Sequence, residues 1–433
     1  MSTRRLLIAV CILVASMVIG GMALAQEPVV LRMVVGANAE EFETRKRAIE
    51  EFERLNPDIK VELELLLGGT AERLTNLAAG TSPDVGMEWE LDFAQFAAKD
   101  AYLDLNQFID RDPDFAEYLS QQVLTPLVKT FEWDGKQYVL PEQNAAVVMF
   151  YNKDLVAEAG LSEPPDDWSD TSWNWSTFLD YAQKMTRTSG ADQNVTHYGY
   201  GDMWWTQLSM MLWGWSNGGQ WFDNQLNPTR STMNNPNMVE AIQFYADLWL
   251  EYRVAPTWPE RVQFDTPARF AEGQLGMGIG GHWFVPWFTS TSVDFDVAPL
   301  PVGPNGKTGM SDLGTTGLGI FRTTRHPEEA WRLVKFLTGH EGQTVYAESG
   351  LFVPVTRSAV EAFVDSEPHT ERAWLFFSAS EYANNLPVLV DWGSYVANAF
   401  NPMIHDVMEG RQPAVNAAMR VDEWTNAAIF QID

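Results

Sequence analysis

The side chains best equipped for chemistry in this chain are carboxylates set beside tryptophans and amides. Glu88, Trp89 and Glu90 form an acid-indole-acid triplet. A carboxylate there can accept from two adjacent hydroxyls, each charged hydrogen bond contributing about 1.5–3 kcal/mol, while the indole stacks on a ring face. If the triplet ends a strand, Trp89 points to one face and the two glutamates alternate with it. Glu40 and Glu41 form a second acidic pair, just beyond a first strand and at a helix start. Parallel sheets place ligand contacts there, although helix-dipole compensation accounts for the pair as well. Gln143 and Asn144 follow Glu142, and their amides suit hydroxyls because they both donate and accept.

Other chemistries lack their parts. The histidines at 197, 282, 326, 340, 369 and 405 are scattered without paired spacing, and Cys11 cannot join them, so no metal or cofactor is expected. No Gly-x-Ser-x-Gly elbow and no Gly-rich dinucleotide fingerprint is present. Gly303 to Thr308 ends like a phosphate loop but reads as a turn, because Pro301 stands where the first glycine should be. A glycoside hydrolase would have to rest on unassigned acid pairs. The enzyme reading is therefore the weakest.

Composition sharpens this. Tryptophan occurs 18 times, with 12 of those residues between Trp168 and Trp287, more than packing ordinarily needs. A flat indole suits the C–H face of a pyranose. Lys plus Arg number 29 against 58 Asp plus Glu, a balance that favours solubility and excludes nucleic acid and acidic ligands. Arg4 and Arg5, the apolar run from Leu6 to about Ile19 and Ala23-Leu24-Ala25 have the layout of a secretory signal peptide over 1–25. Cys11 is misplaced for a lipoprotein anchor.

The elements that must position these side chains alternate. Val29 to Val35 reads as a strand, Glu40 to Leu55 as a helix closed by Asn56-Pro57, and Ile59 to Leu67 as a strand of period two. A further helix ends at Gly80, and a third strand runs into Glu88. Such alternation points to an open parallel sheet covered by helices. Further along, Asp134-Gly135 marks a hairpin, Ala145 to Tyr151 is an apolar run long enough to pass between lobes, and Asn237 to Tyr252 and Pro327 to Leu337 are helices. Length alone argues for two lobes.

In order along the chain, Leu55-Asn56-Pro57-Asp58-Ile59-Lys60-Val61, Ala79 to Val85, Tyr151-Asn152-Lys153-Asp154-Leu155, Gly278 to Trp283, Phe295 to Pro301, Pro327 to Gln343 and Gly350 to Val355 resemble the bacterial extracellular solute-binding proteins related to maltose-binding protein. The resemblance implies a periplasmic-binding-protein-like α/β fold of type II, with two lobes and a ligand cleft between them. The lobes would comprise 26–143 plus 316–353 and 144–315 plus 354–433, joined by crossings near Pro141 to Val147, Gly314 to Gly319 and Phe352 to Arg357. It implies a monomer, exported to the periplasm or beyond, that closes on a carbohydrate and delivers it to the permease subunits of an ABC importer. Trp283, behind Gly281 and His282, matches the family's sugar-stacking tryptophan. Trp204 and Trp205 are further stacking candidates, one of them expected in the core. Asp312, Thr315 and Arg357 lie beside the implied crossings, and Trp392 falls where relatives bring in a C-terminal aromatic. The rival reading keeps the scaffold and exchanges the sugar for a cation such as a polyamine or betaine, since acids with aromatics also suit positive charge.

Overall fold

The computed structural model describes residues 27–189, 194–203, 205–263, 265–367 and 369–432; the signal-peptide expectation and Trp204 fall outside them. In chain order the strands of its two large sheets are β1 (Val29–Val35), β2 (Ile59–Leu65), β3 (Val85–Trp89), β4 (Val139–Asn144), β5 (Val147–Asn152), β6 (Arg187–Ser189), β7 (Asn194–Tyr200), β8 (Leu275–Gly281), β9 (Phe295–Ala298) and β10 (Thr315–Ile320). The first sheet has the order β2-β1-β3-β10-β4 and the second β9-β5-β8-β7-β6.

The first sheet is built as the alternation of patterns requires. β1 runs parallel to β2 and β3, and the connecting helices are α1 (Ala39–Leu55) and α2 (Thr70–Ala79). Asn38 caps α1: its side chain accepts from the Glu41 N–H at 2.9 Å, and the Glu41 carboxylate accepts in return from the Asn38 N–H at 3.1 Å. Asn56 closes the other end, and Thr44, Arg45, Ala48, Ile49 and Phe52 form the buried stripe. Leu55, placed on that stripe by periodicity, is half exposed at the helix end. Gly80 ends α2 in the left-handed conformation, φ 68°, which a side chain would resist.

Neither sheet is purely parallel. β10 inserts antiparallel between β3 and β4, and β5 lies antiparallel to both β8 and β9. The physical reason is that these strands follow chain crossings rather than helical returns. β4 belongs to the first sheet and β5 to the second, so the chain passes between lobes at Ala145 and Ala146. A second passage at Leu313 and Gly314 leads into β10, and the Ala145 N–H donates to the Gly314 carbonyl at 2.8 Å. A third runs alongside, where the Asn144 N–H donates to the Val353 carbonyl at 3.1 Å. After it, Arg357 N–H still bonds Gln122 of the first lobe, and the chain rejoins β5 at Arg372, which lies over the Tyr151 ring, and through the helix Trp374–Ser378.

The tryptophan excess is largely spent on packing. Trp168, Trp173, Trp175, Trp213, Trp215, Trp221 and Trp249 are each no more than 4 % exposed. Several of their indole N–H groups find acceptors inside: Trp173 donates to the Pro299 carbonyl at 2.9 Å and Trp249 to the Met408 carbonyl at 2.8 Å. Trp175 stacks on Phe244 with centroids 4.3 Å apart. The core of the second lobe is thus rich in aromatic side chains among its aliphatic residues and methionines.

Candidate ligand-binding site

Where the crossings meet, Gly36, Glu41, Met87, Trp89, Glu90, Gln143, Ala145, Trp283, Gly314 and Thr316 enclose a cavity of about 250 Å³. Gly36 and Trp89 stand at the carboxyl ends of the parallel strands β1 and β3, where open α/β sheets bind ligands. Glu41 comes from the first turn of α1, Glu90 from the start of the helix α3 (Glu90–Ala97), and Trp283 from the end of β8 in the other lobe.

Register explains the floor of this cavity. Trp89 pairs with Thr316, and Thr316 with Gln143, across three adjacent strands. Cross-strand partners share a face, so these three form one row toward the cleft. Their neighbours turn away. Thr315, named on sequence grounds, is fully buried and donates its hydroxyl to the Gln143 carbonyl at 2.9 Å. Asn144 is a strut whose Oδ1 accepts from the Ala146 N–H at 3.1 Å and the Ser380 hydroxyl at 2.9 Å. Thr316, one residue on, lines the cavity and is a polar residue that sequence reasoning missed; the period of two was the signal for it.

Glu88 also turns away from the ligand side. Its buried carboxylate is bound by the Arg73 guanidinium and the Tyr102 hydroxyl. Arg73 in turn lies 4.2 Å from the Phe96 ring centroid and 5.9 Å from that of Trp89, so Glu88 supports the indole from behind. Glu142 does the same below α1, paired with buried Arg45 at 2.9 Å and accepting from the Tyr346 hydroxyl at 2.8 Å.

Both indoles of the cavity depend on glycines. A Cβ on Gly36 would stand 2.5 Å from the Trp89 ring, and one on Gly281 would stand 2.0 Å from that of Trp283. Gly281 is therefore the seat of Trp283 and is not among the residues that line the cavity. His282 between them faces inward, its ring bonded to the Leu351 carbonyl at 3.1 Å and to Glu367 at 3.3 Å.

Burial raises both acids of the cavity. Burial raises the Glu41 carboxyl above its ordinary value, with Arg45 opposing. Burial pushes Glu90 up to about 8, and Asp312 and Asp92 add to it; its one backbone donor other than its own is the Thr315 N–H, at 3.4 Å. Asp312 does not line the cavity. It is buried behind it, accepts from the Val147 N–H at 3.2 Å, leaves Oδ2 without a partner, and is pushed up to about 7 by desolvation.

The remaining candidates lie elsewhere. Glu40 opens onto a separate groove with Arg47, Pro286 and His369. Arg357 is an exposed ion-pair partner of Glu381 at 2.8 Å. Trp392 is buried in the second lobe against Tyr395, with centroids 5.5 Å apart, because the C-terminal helices pack there as core. Trp205 is 55 % exposed at the start of the helix Thr206–Ser216 and does not line the cavity.

This architecture has known counterparts. The model of the family described as bacterial extracellular solute-binding protein matches residues 36–344. The chain belongs to that family. The extracellular solute-binding proteins are binding proteins, not enzymes. A binding protein of Brucella abortus is 26 % identical over 365 residues, covering 81 % of this chain and 80 % of that one. A maltodextrin-binding protein of Bacillus subtilis is 26 % identical over about half of each chain, 52 % and 52 %. Among solved structures, an ABC substrate-binding protein from Listeria monocytogenes in complex with cycloalternan superposes with a TM-score of 0.80 at 23 % identity, covering 94 % of this chain and all of that one. Maltose-bound MalE3 of T. maritima gives 0.73 at 24 % identity, covering 91 % and 98 %. These structures share the two-lobed fold.

Proposed function

We propose that this solute-binding protein captures a carbohydrate, most simply an oligosaccharide, outside the cytoplasm and presents it to the permease subunits of an ABC importer. One observation carries the reading: Trp89 from the first lobe and Trp283 from the second border the same cavity, together with Glu41, Glu90, Gln143 and Thr316. Indoles cover the C–H faces of a sugar, while carboxylates, an amide and a hydroxyl meet its rim of hydroxyls. Because each lobe supplies a ring, ligand is held best when the lobes approach, so occupancy and closure are coupled and the permease can read one from the other. The relatives described as maltodextrin- and maltotriose-binding proteins support the same class of ligand.

A cationic solute is the second reading, favoured by the two cavity carboxylates. A thermal-shift screen of residues 26–433 against mono- and oligosaccharides, polyamines and betaines separates the two. At about 100 times its dissociation constant a ligand adds about 2.7 kcal/mol to the folded state. Stabilisation by sugars supports the proposal; stabilisation by amines alone overturns it.

A further inference from the structure

We propose that the carbohydrate this cleft prefers is an amino sugar, its ammonium group lodged between Glu41 and Glu90 beside the two indoles. The inference rests on the carbohydrate reading above and narrows it.

The charged residues lining the cavity are Glu41 and Glu90; among the described residues no arginine, lysine or histidine lines it. Elsewhere in this lobe buried acids are matched. Glu142 meets Arg45 at 2.9 Å, and Glu88 is bound by Arg73. Glu90 and Asp312, by contrast, have no basic group within ion-pair distance among the described residues, and Asp312 Oδ2 is buried without any hydrogen-bond partner. A second observation points to a ligand. Thr316 is only 8 % exposed, lines the cavity, and has a buried hydroxyl with no partner. A hydroxyl-rich ligand meets Thr316 and Gln143 but brings no counter-charge to Glu90, whereas Glu41 already feels Arg45 and accepts from the Asn38 N–H at 3.1 Å. Burying unpaired charge is costly, so Glu90 keeps its proton beside a neutral sugar, whereas an ammonium lets it ionise as half of a buried pair and gains cation-π contact with the indoles.

The titration of the empty cleft agrees. Glu90 is pushed up to about 8 by burial, Asp312 and Asp92 both facing it with negative charge. Around Glu41 the charges are Arg45, which opposes the rise, and Glu142 and Glu40, which add to it. At neutral pH the empty site therefore holds a proton on Glu90. An ammonium arriving beside it ionises that carboxyl, and the proton passes to the buffer.

Calorimetric titrations of the mature chain with matched probes test this: glucosamine against glucose, galactosamine against galactose, and the β-1,4 glucosamine disaccharide against cellobiose, with spermidine as a non-sugar amine. The amine member of at least one pair should bind about tenfold more tightly or better. Glu90→Gln should reduce that preference to about threefold or less, while Glu40→Gln, outside the cavity, keeps it. Titration in two buffers of different ionisation enthalpy should show proton release at pH 7 for the wild-type chain, a readout that needs no variant. If the neutral sugars bind as tightly as their amines, or amine binding releases no proton, the inference fails and the carbohydrate reading stands. If spermidine binds and no sugar does, the carbohydrate reading itself fails.

Discussion

At the scale of single residues, one position along a strand decides whether a hydroxyl serves the fold or the ligand. Thr315 is satisfied by the Gln143 carbonyl, whereas Thr316 faces the cavity. Thr315→Ala should lower stability by about 1 kcal/mol, with ligand affinity nearly unchanged. Thr316→Ala should leave the melting temperature within error and weaken ligand about fivefold. Equal effects of the two on affinity would refute the assignment of faces. The sequence could show the threonine pair at a crossing but not its register, which depends on pairing with Trp89 and Gln143 across the sheet. The same limit applies to Trp392 and to the tryptophans from Trp168 to Trp249: residue type indicated stacking surfaces, but an indole suits a core as well as a sugar, and only tertiary packing separates the two uses. Glu41, Trp89 and Glu90 were named because they sit at strand ends or helix starts, positions that hydrophobic periodicity locates well, Gln143 because it stands at a crossing, and Trp283 because the family resemblance implied it; all five line the cavity.

At the scale of elements, buried ion pairs and buried acids act in opposite directions. Glu88 ties β3 to α2 through Arg73, so Glu88→Gln leaves a buried guanidinium with only the more distant Asp92, at 3.6 Å, and should cost about 3 kcal/mol in chemical denaturation. A loss below about 1 kcal/mol would show the pair to be dispensable. The crossing segments carry the reverse case. Glu90 and Asp312 hold protons in the folded state up to about 8 and about 7, whereas in the unfolded chain they release them near pH 4. The native state binds more protons over that interval, so their contribution is full below about pH 4 and is lost as pH rises through 7 to 8. Melting temperature of the ligand-free chain should fall from pH 5 to 8, and Glu90→Gln should flatten the decline; identical slopes in the two chains would contradict the burial of this carboxyl. The alternation of strands and helices announced the first sheet correctly, but β10 and β4 could not be placed from local pattern because they are delivered by crossings from the other lobe. Their antiparallel insertion is a long-range fact.

At the scale of the whole molecule, two sheets joined by three adjacent passages make a hinge with the cavity at its root. The passages are hydrogen-bonded to one another, Ala145 to Gly314 and Asn144 to Val353, so the lobes can pivot about a defined strip rather than wander. Ligand that touches Trp89 on one side and Trp283 on the other biases that pivot toward closure. The central claim is that Trp283 and the first-lobe row grip one carbohydrate together. Its most direct test is calorimetric titration of the wild-type chain and Trp283→Ala with the tightest-binding sugar from the screen. The account predicts saturable binding with a negative heat-capacity change, weakened by Trp283→Ala about tenfold to a hundredfold while the melting temperature of the free protein stays unchanged. Undiminished affinity in Trp283→Ala would contradict it.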